Sequence, residues 1–235
     1  MNPIILALDV DSTEKAKTLA KELKDYVGLY KIGKELFTAE GPSVVREVID
    51  AGGQVFLDLK YHDIPNTVAK AAEVATSLGV KMFNIHASGG SEMMKAAAEA
   101  AKEKAEEMGV DKPIVLAVTV LTSIDQETLN NELKVAGSVE EQVVHLAKLA
   151  KESGMDGVVC SPQEAKPIRE ACGESFVIVT PGVRPTWSVT GDQKRITTPK
   201  QAVENGSNYL VIGRPIRGAD DKVDAAKKIL EELGM

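Results

Sequence analysis

Eight short β-rich runs recur along this chain, each followed by a stretch with helical spacing or composition. The strand candidates are residues 4–9, 29–33, 54–59, 81–86, 114–120, 157–160, 176–180 and 209–213. Ser12 is placed to cap a helix over 13–26, in which Ala16, Leu19, Ala20 and Leu23 share one face. Residues 92–108 are rich in Ala, Glu and Lys, all good helix formers. Ser138 can cap 139–153, and Asp220 or Asp221 opens a last helix that ends near Gly234. Eight strand–helix units in this length predict a closed (β/α)8 TIM barrel, with an open doubly wound sheet as the alternative. No G-x-G-x-x-G follows the first strand, so a dinucleotide-binding sheet lacks its usual signal.

The chain has 235 residues, 43% of them hydrophobic and 27% charged, which suits one globular unit of barrel size. No Pro/Ser-rich linker or composition shift marks a boundary, so residues 1–235 are expected to form one catalytic domain. No apolar run is long enough to span a membrane, and the N-terminus lacks the basic region of a signal peptide. Cys160 and Cys172 are too few for a disulfide framework and lack metal-ligand spacing. A reducing cytoplasm is the expected compartment. The net charge of -7 argues against a nucleic-acid surface, so an anionic ligand has to be held by a local cluster of Lys and Arg.

Polar residues collect where the strands end. The third run leads into D-L-K-Y-H-D-I-P-N-T, Asp58 to Thr67. Side chains alternate along a strand, so Asp58 and Lys60 point one way and Leu57 and Leu59 the other. Asp63 follows in the loop, with a helix starting near Pro65. A strand-end salt bridge plus a helix-opening aspartate would account for these three residues alone. Asp9, however, ends the first strand, Lys31 lies in the second, Thr122 follows the fifth, Arg184 the seventh, and Gly213-Arg214 the eighth. A barrel brings all these ends to one mouth, where active sites of this fold lie, and scattered salt bridges have no reason to prefer that mouth.

The stretch P-G-V-R-P-T-W-S-V-T-G-D-Q-K-R, from Pro181 to Arg195, is long for a connection and rich in turn formers, as lids are. After the eighth strand, V-I-G-R-P-I offers Gly213 for close backbone approach to an anion and Arg214 as a bidentate fork. Loops after strands seven and eight are the usual phosphate site of this fold.

Together these residues resemble the orotidine 5'-monophosphate decarboxylase family. The likeness runs through A-L-D at Ala7, Y-K-I-G at Tyr30, D-L-K-Y-H-D-I-P-N-T, V-L-T-S at Val120, P-G-V-R-P at Pro181, G-D-Q at Gly191 and I-G-R-P at Ile212. The resemblance implies that Lys60 is the catalytic lysine and that Lys31, Asp58 and Asp63 complete an alternating charged network around it. It implies a homodimer, with Asp63, Ile64 and Thr67 reaching into the neighbouring subunit's site. Asp9 and Lys31 would bind ribose hydroxyls, and Asp58 and Thr122 would lie by the ligand. Arg184, Gln193, Gly213 and Arg214 would form the phosphate and lid region. No cofactor and no metal is expected; Lys60 would stabilise a carbanion electrostatically and then protonate it.

The nearest rival is a Mg2+-dependent decarboxylase of a keto-sugar phosphate, or a related aldolase, sharing the Asp-x-Lys-x-x-Asp core. Such enzymes carry a glutamate near Lys31, where a lysine would repel a divalent cation. A non-catalytic nucleotide-binding barrel is the other alternative, and it has no need of the charged set. Among the remaining residues, His62 reads as loop packing or solvent-facing, His86 as hydrogen bonding behind the site, and His145 as structural. Met93 and Met94 read as helix packing, and Trp187 as a reporter on the lid.

Overall fold

The computed structural model describes residues 2–188 and 197–235. All eight expected strands form: β1 (Ile4–Ala7), β2 (Leu29–Gly33), β3 (Val55–Tyr61), β4 (Met82–His86), β5 (Ile114–Val118), β6 (Gly157–Val159), β7 (Val177–Pro181) and β8 (Tyr209–Ile212). They run parallel and close into a barrel in sequence order, β8 pairing with β1 through Ile5 opposite Val211. Closure overturns the open doubly wound alternative.

The outer helices of the first half are α1 (Thr13–Leu23), α2 (Lys34–Glu40), α3 (Ser43–Asp50), α4 (Pro65–Ser77) and α5 (Gly90–Met108). Those of the second half are α6 (Val139–Glu152), α7 (Ala165–Cys172), α8 (Pro199–Glu204), α9 (Arg214–Arg217) and α10 (Lys222–Glu232). A short π-helical turn at Thr128–Glu132 had no sequence expectation. Ser138 caps α6 as expected, accepting from the Glu141 backbone N–H while Glu141 reaches back to Ser138 N. Asp221, not Asp220, caps α10 by accepting from Asp224 N. Ser12 sits at the start of α1 in extended conformation but makes no side-chain cap bond, and α1 stops at Leu23 rather than at 26.

The strands divide the core in two. Ile5, Ala7, Leu29, Phe56, Met82, Leu116, Val118, Val159, Val179, Tyr209 and Val211 form one cluster drawn from every strand and from no helix. That composition defines the barrel lumen. The alternate residues, such as Leu6, Ile32, Leu57, Phe83, Ile85 and Ile212, pack with the helices. Strands buried on both faces read as unbroken apolar runs, as Ile4–Ala7 does. Following the lumen face by twos toward the C-terminal ends leads from Ala7 to Asp9, from Leu29 to Lys31, from Phe56 to Asp58, and from Met82 to Asn84 and His86. The apolar lumen therefore gives way to polar groups at one level of one mouth.

Candidate active site

Four expected residues meet at that mouth as a chain of alternating charge. Lys31 Nζ lies 3.4 Å from Asp9 Oδ1 and 3.3 Å from Asp58 Oδ2, and Lys60 Nζ lies 2.5 Å from Asp58 Oδ1. The Lys31 and Asp58 side chains are each only 12% exposed, so these charges have given up most of their water. Burial raises the Asp58 carboxyl pKa, but Lys31 and Lys60, with hydrogen bonds from Lys60 and Asn84, outweigh it and hold the carboxyl below its ordinary value. Desolvated ion pairs seldom add net stability, so this set points to function. Gly33 makes room for it: a Cβ there would lie 3.0 Å from Lys31 Nζ.

Lys60 is held in an unusual way. Between the pairs Leu57–Phe83 and Tyr61–Ile85, three residues of β3 stand opposite one residue of β4. This bulge puts Lys60 at φ 55°, a left-handed conformation that costs a non-glycine residue about 1–2 kcal/mol. The one opposing residue is Asn84, which is completely buried. Its Oδ1 accepts from Lys60 N at 2.8 Å and its Nδ2 donates to Asp58 Oδ1 at 2.7 Å. Sequence reading passed over Asn84. Its only signal was a polar residue on the lumen face of an otherwise apolar strand.

Three of these charged groups border a cavity of about 230 Å3. Phe56, Val118, Val159 and Val211 give it apolar walls, and Lys31, Asp58, Lys60 and Thr122 line it with polar groups. Gly213 comes close to β1, where a Cβ would meet that of Ala7 at 3.3 Å, and Arg214 is exposed beside it. Arg184 N donates to Thr197 O at 3.0 Å, joining the two feet of the connection after β7. Gln193, with the rest of 189–196, lies outside the described residues.

Asp63, Ile64 and Thr67 stand apart from this cluster within one chain. All three are exposed, Ile64 by 66%, and Asp63 Oδ1 accepts from Ile64 N at 2.6 Å where α4 begins. Among the described residues Asp63 makes no ion pair. No helix among them is long and apolar enough to cross a membrane. Met93 and Met94 are fully buried in the core, as expected of packing residues.

The His62 and His86 rings lie 5.4 Å apart between centroids, tilted by 39°. Burial, followed by the charges of His62, Lys60 and Lys34, lowers the His86 pKa to about 4, with Asp58 opposing. The folded protein thus prefers neutral His86, whereas the unfolded chain takes up its proton near pH 6.5. The stability this group contributes is complete above about pH 6.5 and is lost as pH falls toward 4. His86→Gln is expected to flatten the decline of Tm between about pH 6.5 and 4. A variant as acid-sensitive as the parent would overturn this.

A parallel barrel with a half-buried chain of alternating charge at the edge of a largely apolar cavity, and with arginines at its seventh and eighth loops, defines a (β/α)8-barrel enzyme. The model of the orotidine 5'-phosphate decarboxylase / HUMPS family matches residues 2–229. The orotidine 5'-phosphate decarboxylase of Syntrophomonas wolfei subsp. wolfei is 55% identical over 231 residues, 98% of this chain and 97% of that one. That of Pelobacter propionicus is 56% identical over 230 residues, 98% and 94% of the two chains. The crystal structure of orotidine 5'-phosphate decarboxylase from Lactobacillus acidophilus matches with a TM-score of 0.89 at 41% identity, covering 100% of both chains. The chain belongs to the orotidine 5'-phosphate decarboxylase / HUMPS family, and with such relatives over its whole length it is a carboxy-lyase.

Proposed function

We propose that this protein converts orotidine 5'-monophosphate to UMP and CO2, the last step of de novo UMP synthesis, without a cofactor, as a cytoplasmic homodimer of one-domain barrels. The carrying observation is the alternating chain Asp9–Lys31–Asp58–Lys60, whose last three members line the cavity. Loss of CO2 from C6 breaks the ring–carboxyl bond and leaves its electron pair in the ring plane, where the π system cannot spread it. Other decarboxylases pass such a pair to a cofactor. Here the Lys60 ammonium, held by Asp58, stabilises the developing charge and then gives C6 its proton. Asp58 also faces the substrate carboxylate, while Asp9 and Lys31 take the ribose hydroxyls and Thr122 borders the ring. Arg184, Gln193, Gly213 and Arg214 take the phosphate, whose binding energy is used at the reacting centre.

Exposure of Asp63, Ile64 and Thr67 supports their completing a partner's site, since the single chain leaves a carboxylate and an isoleucine uncovered beside the mouth. The Lys31 ammonium against Asp58 supports a metal-free reaction, because a divalent cation there would meet a fixed positive charge. The test is turnover of orotidine 5'-monophosphate by EDTA-treated protein, following substrate loss and UMP formation. Full conversion without metal is expected. No conversion by folded protein would overturn the proposal, and conversion only after Mg2+ is restored would overturn its metal-free mechanism.

A further inference from the structure

We propose that Asn84 is a positioning residue for this site, setting the Lys60 backbone and the Asp58 carboxylate relative to one another across the β3 bulge. The inference rests on the decarboxylase reading above and deepens it. A bulge leaves backbone groups without their ladder partners, and a buried N–H without an acceptor is destabilising. Asn84 Oδ1 accepts from Lys60 N at 2.8 Å, so a side chain stands in for the missing ladder bond. The same carboxamide donates to Asp58 Oδ1 at 2.7 Å, the oxygen that also receives Lys60 Nζ.

Chemistry fixes which way the amide points. Lys60 N–H can only donate and must face the oxygen; the Asp58 carboxylate can only accept and must face the NH2. The residue type is equally constrained. Leucine would satisfy neither group. Aspartate keeps the acceptor but turns the donor toward Asp58 into a second negative charge. Glutamine adds a methylene where Asn84 is already 0% exposed. Asn84 thus couples the strained φ of 55° at Lys60 to the carboxylate that orients its ammonium. A displacement of the ammonium by about 1 Å is enough to cost about 100-fold in rate.

Two variants test this. Asn84→Ala is expected to lower kcat about 100-fold at every pH, with KM changed less than about threefold. Asn84→Asp tests the donor alone. With Asp58 and the introduced carboxylate both charged, this variant should be as impaired as the alanine variant near about pH 8. As pH falls the two carboxyls share a proton, the O–H replaces the lost N–H donor, and the ratio of variant to parent kcat should rise at least about tenfold. A residue that merely filled space would leave that ratio independent of pH. Thermal unfolding checks that each variant folds. If Asn84→Ala does not fold, the Asn84→Asp profile decides, and an Asn84→Asp chain that folds at no pH would overturn the positioning role in favour of a structural one. Alanine-variant kcat within about threefold of the parent, or a pH-independent ratio for Asn84→Asp, would overturn this inference alone. A parent protein that does not decarboxylate orotidine 5'-monophosphate would instead overturn the proposed function beneath it.

Discussion

Replacing Lys60 by alanine is expected to reduce kcat by at least about 10⁴-fold while leaving UMP affinity within about fivefold. The size follows from asking one ammonium to do two things. On the proposed mechanism it would stabilise the C6 carbanion as a positive charge fixed at the cavity wall, and removing one preorganised group of that kind costs about 10²–10³-fold. As the proposed proton donor it would add a general-acid contribution of about 10²–10⁴-fold. Neither role concerns the product, which carries no charge at C6, so UMP binding should survive. The fold should survive as well. Asp58 keeps Lys31 and Asn84 as partners when Lys60 is lost, and the Asn84 bond to residue 60 is made by the backbone. Single-turnover kinetics and calorimetric titration with UMP separate the two quantities. Turnover within about tenfold of the parent would remove Lys60 from the reacting centre. Loss of both turnover and UMP binding would mean that the lysine acts on the ground state.

The barrel was legible in the chain because parallel strands are buried on both faces. Ile4, Ile5, Leu6 and Ala7 are all buried and read as an uninterrupted apolar run that no surface helix would show. The level of the site was legible for the same reason. Where an apolar run breaks to a charge, as from Ala7 through Leu8 to Asp9 or from Phe56 to Asp58, the lumen opens to water. What could not be read was the departure from ideal strand geometry. D-L-K-Y alternates as a regular strand would, and nothing in it announces a bulge or a left-handed Lys60. Asn84 acquires its meaning only from that bulge, so M-F-N-I-H looked like an ordinary strand with one poor β-former. Ser12 failed as a cap for a related reason. Its residue type and extended backbone were suitable, but whether its hydroxyl turns toward the helix depends on packing around it. Asp63 is the opposite case. Its spacing groups it with Lys60, yet the turn into α4 directs its carboxylate to the Ile64 backbone and to solvent.

That separation makes subunit sharing testable by mixing. Asp63→Ala alone is expected to lower kcat by at least about 10²-fold, because the proposed site would lose the second carboxylate that positions the Lys60 ammonium. Lys60→Ala is expected to be inactive for its own reason. In a two-fold dimer whose sites each take Lys60 from one chain and Asp63 from the other, the two variants repair one another. The mixed dimer has one site with both residues intact and one with neither. At equal mixing and free exchange half of all dimers are mixed, so about a quarter of the parent activity should return. If Asp63 served Lys60 of its own chain, every site would lack one residue or the other and mixing would restore nothing. The single chain already favours the first arrangement: Asp63 and Ile64 are exposed at the start of α4, and Asp63 makes no ion pair among the described residues. Activity is to be read alongside a direct measure of exchange, such as native mass spectrometry of differently sized variants. Mixed dimers without recovered turnover would make each site the work of one chain. Exposure of Asp63 would then need a rearrangement of α4 on substrate binding to bring the carboxylate to Lys60.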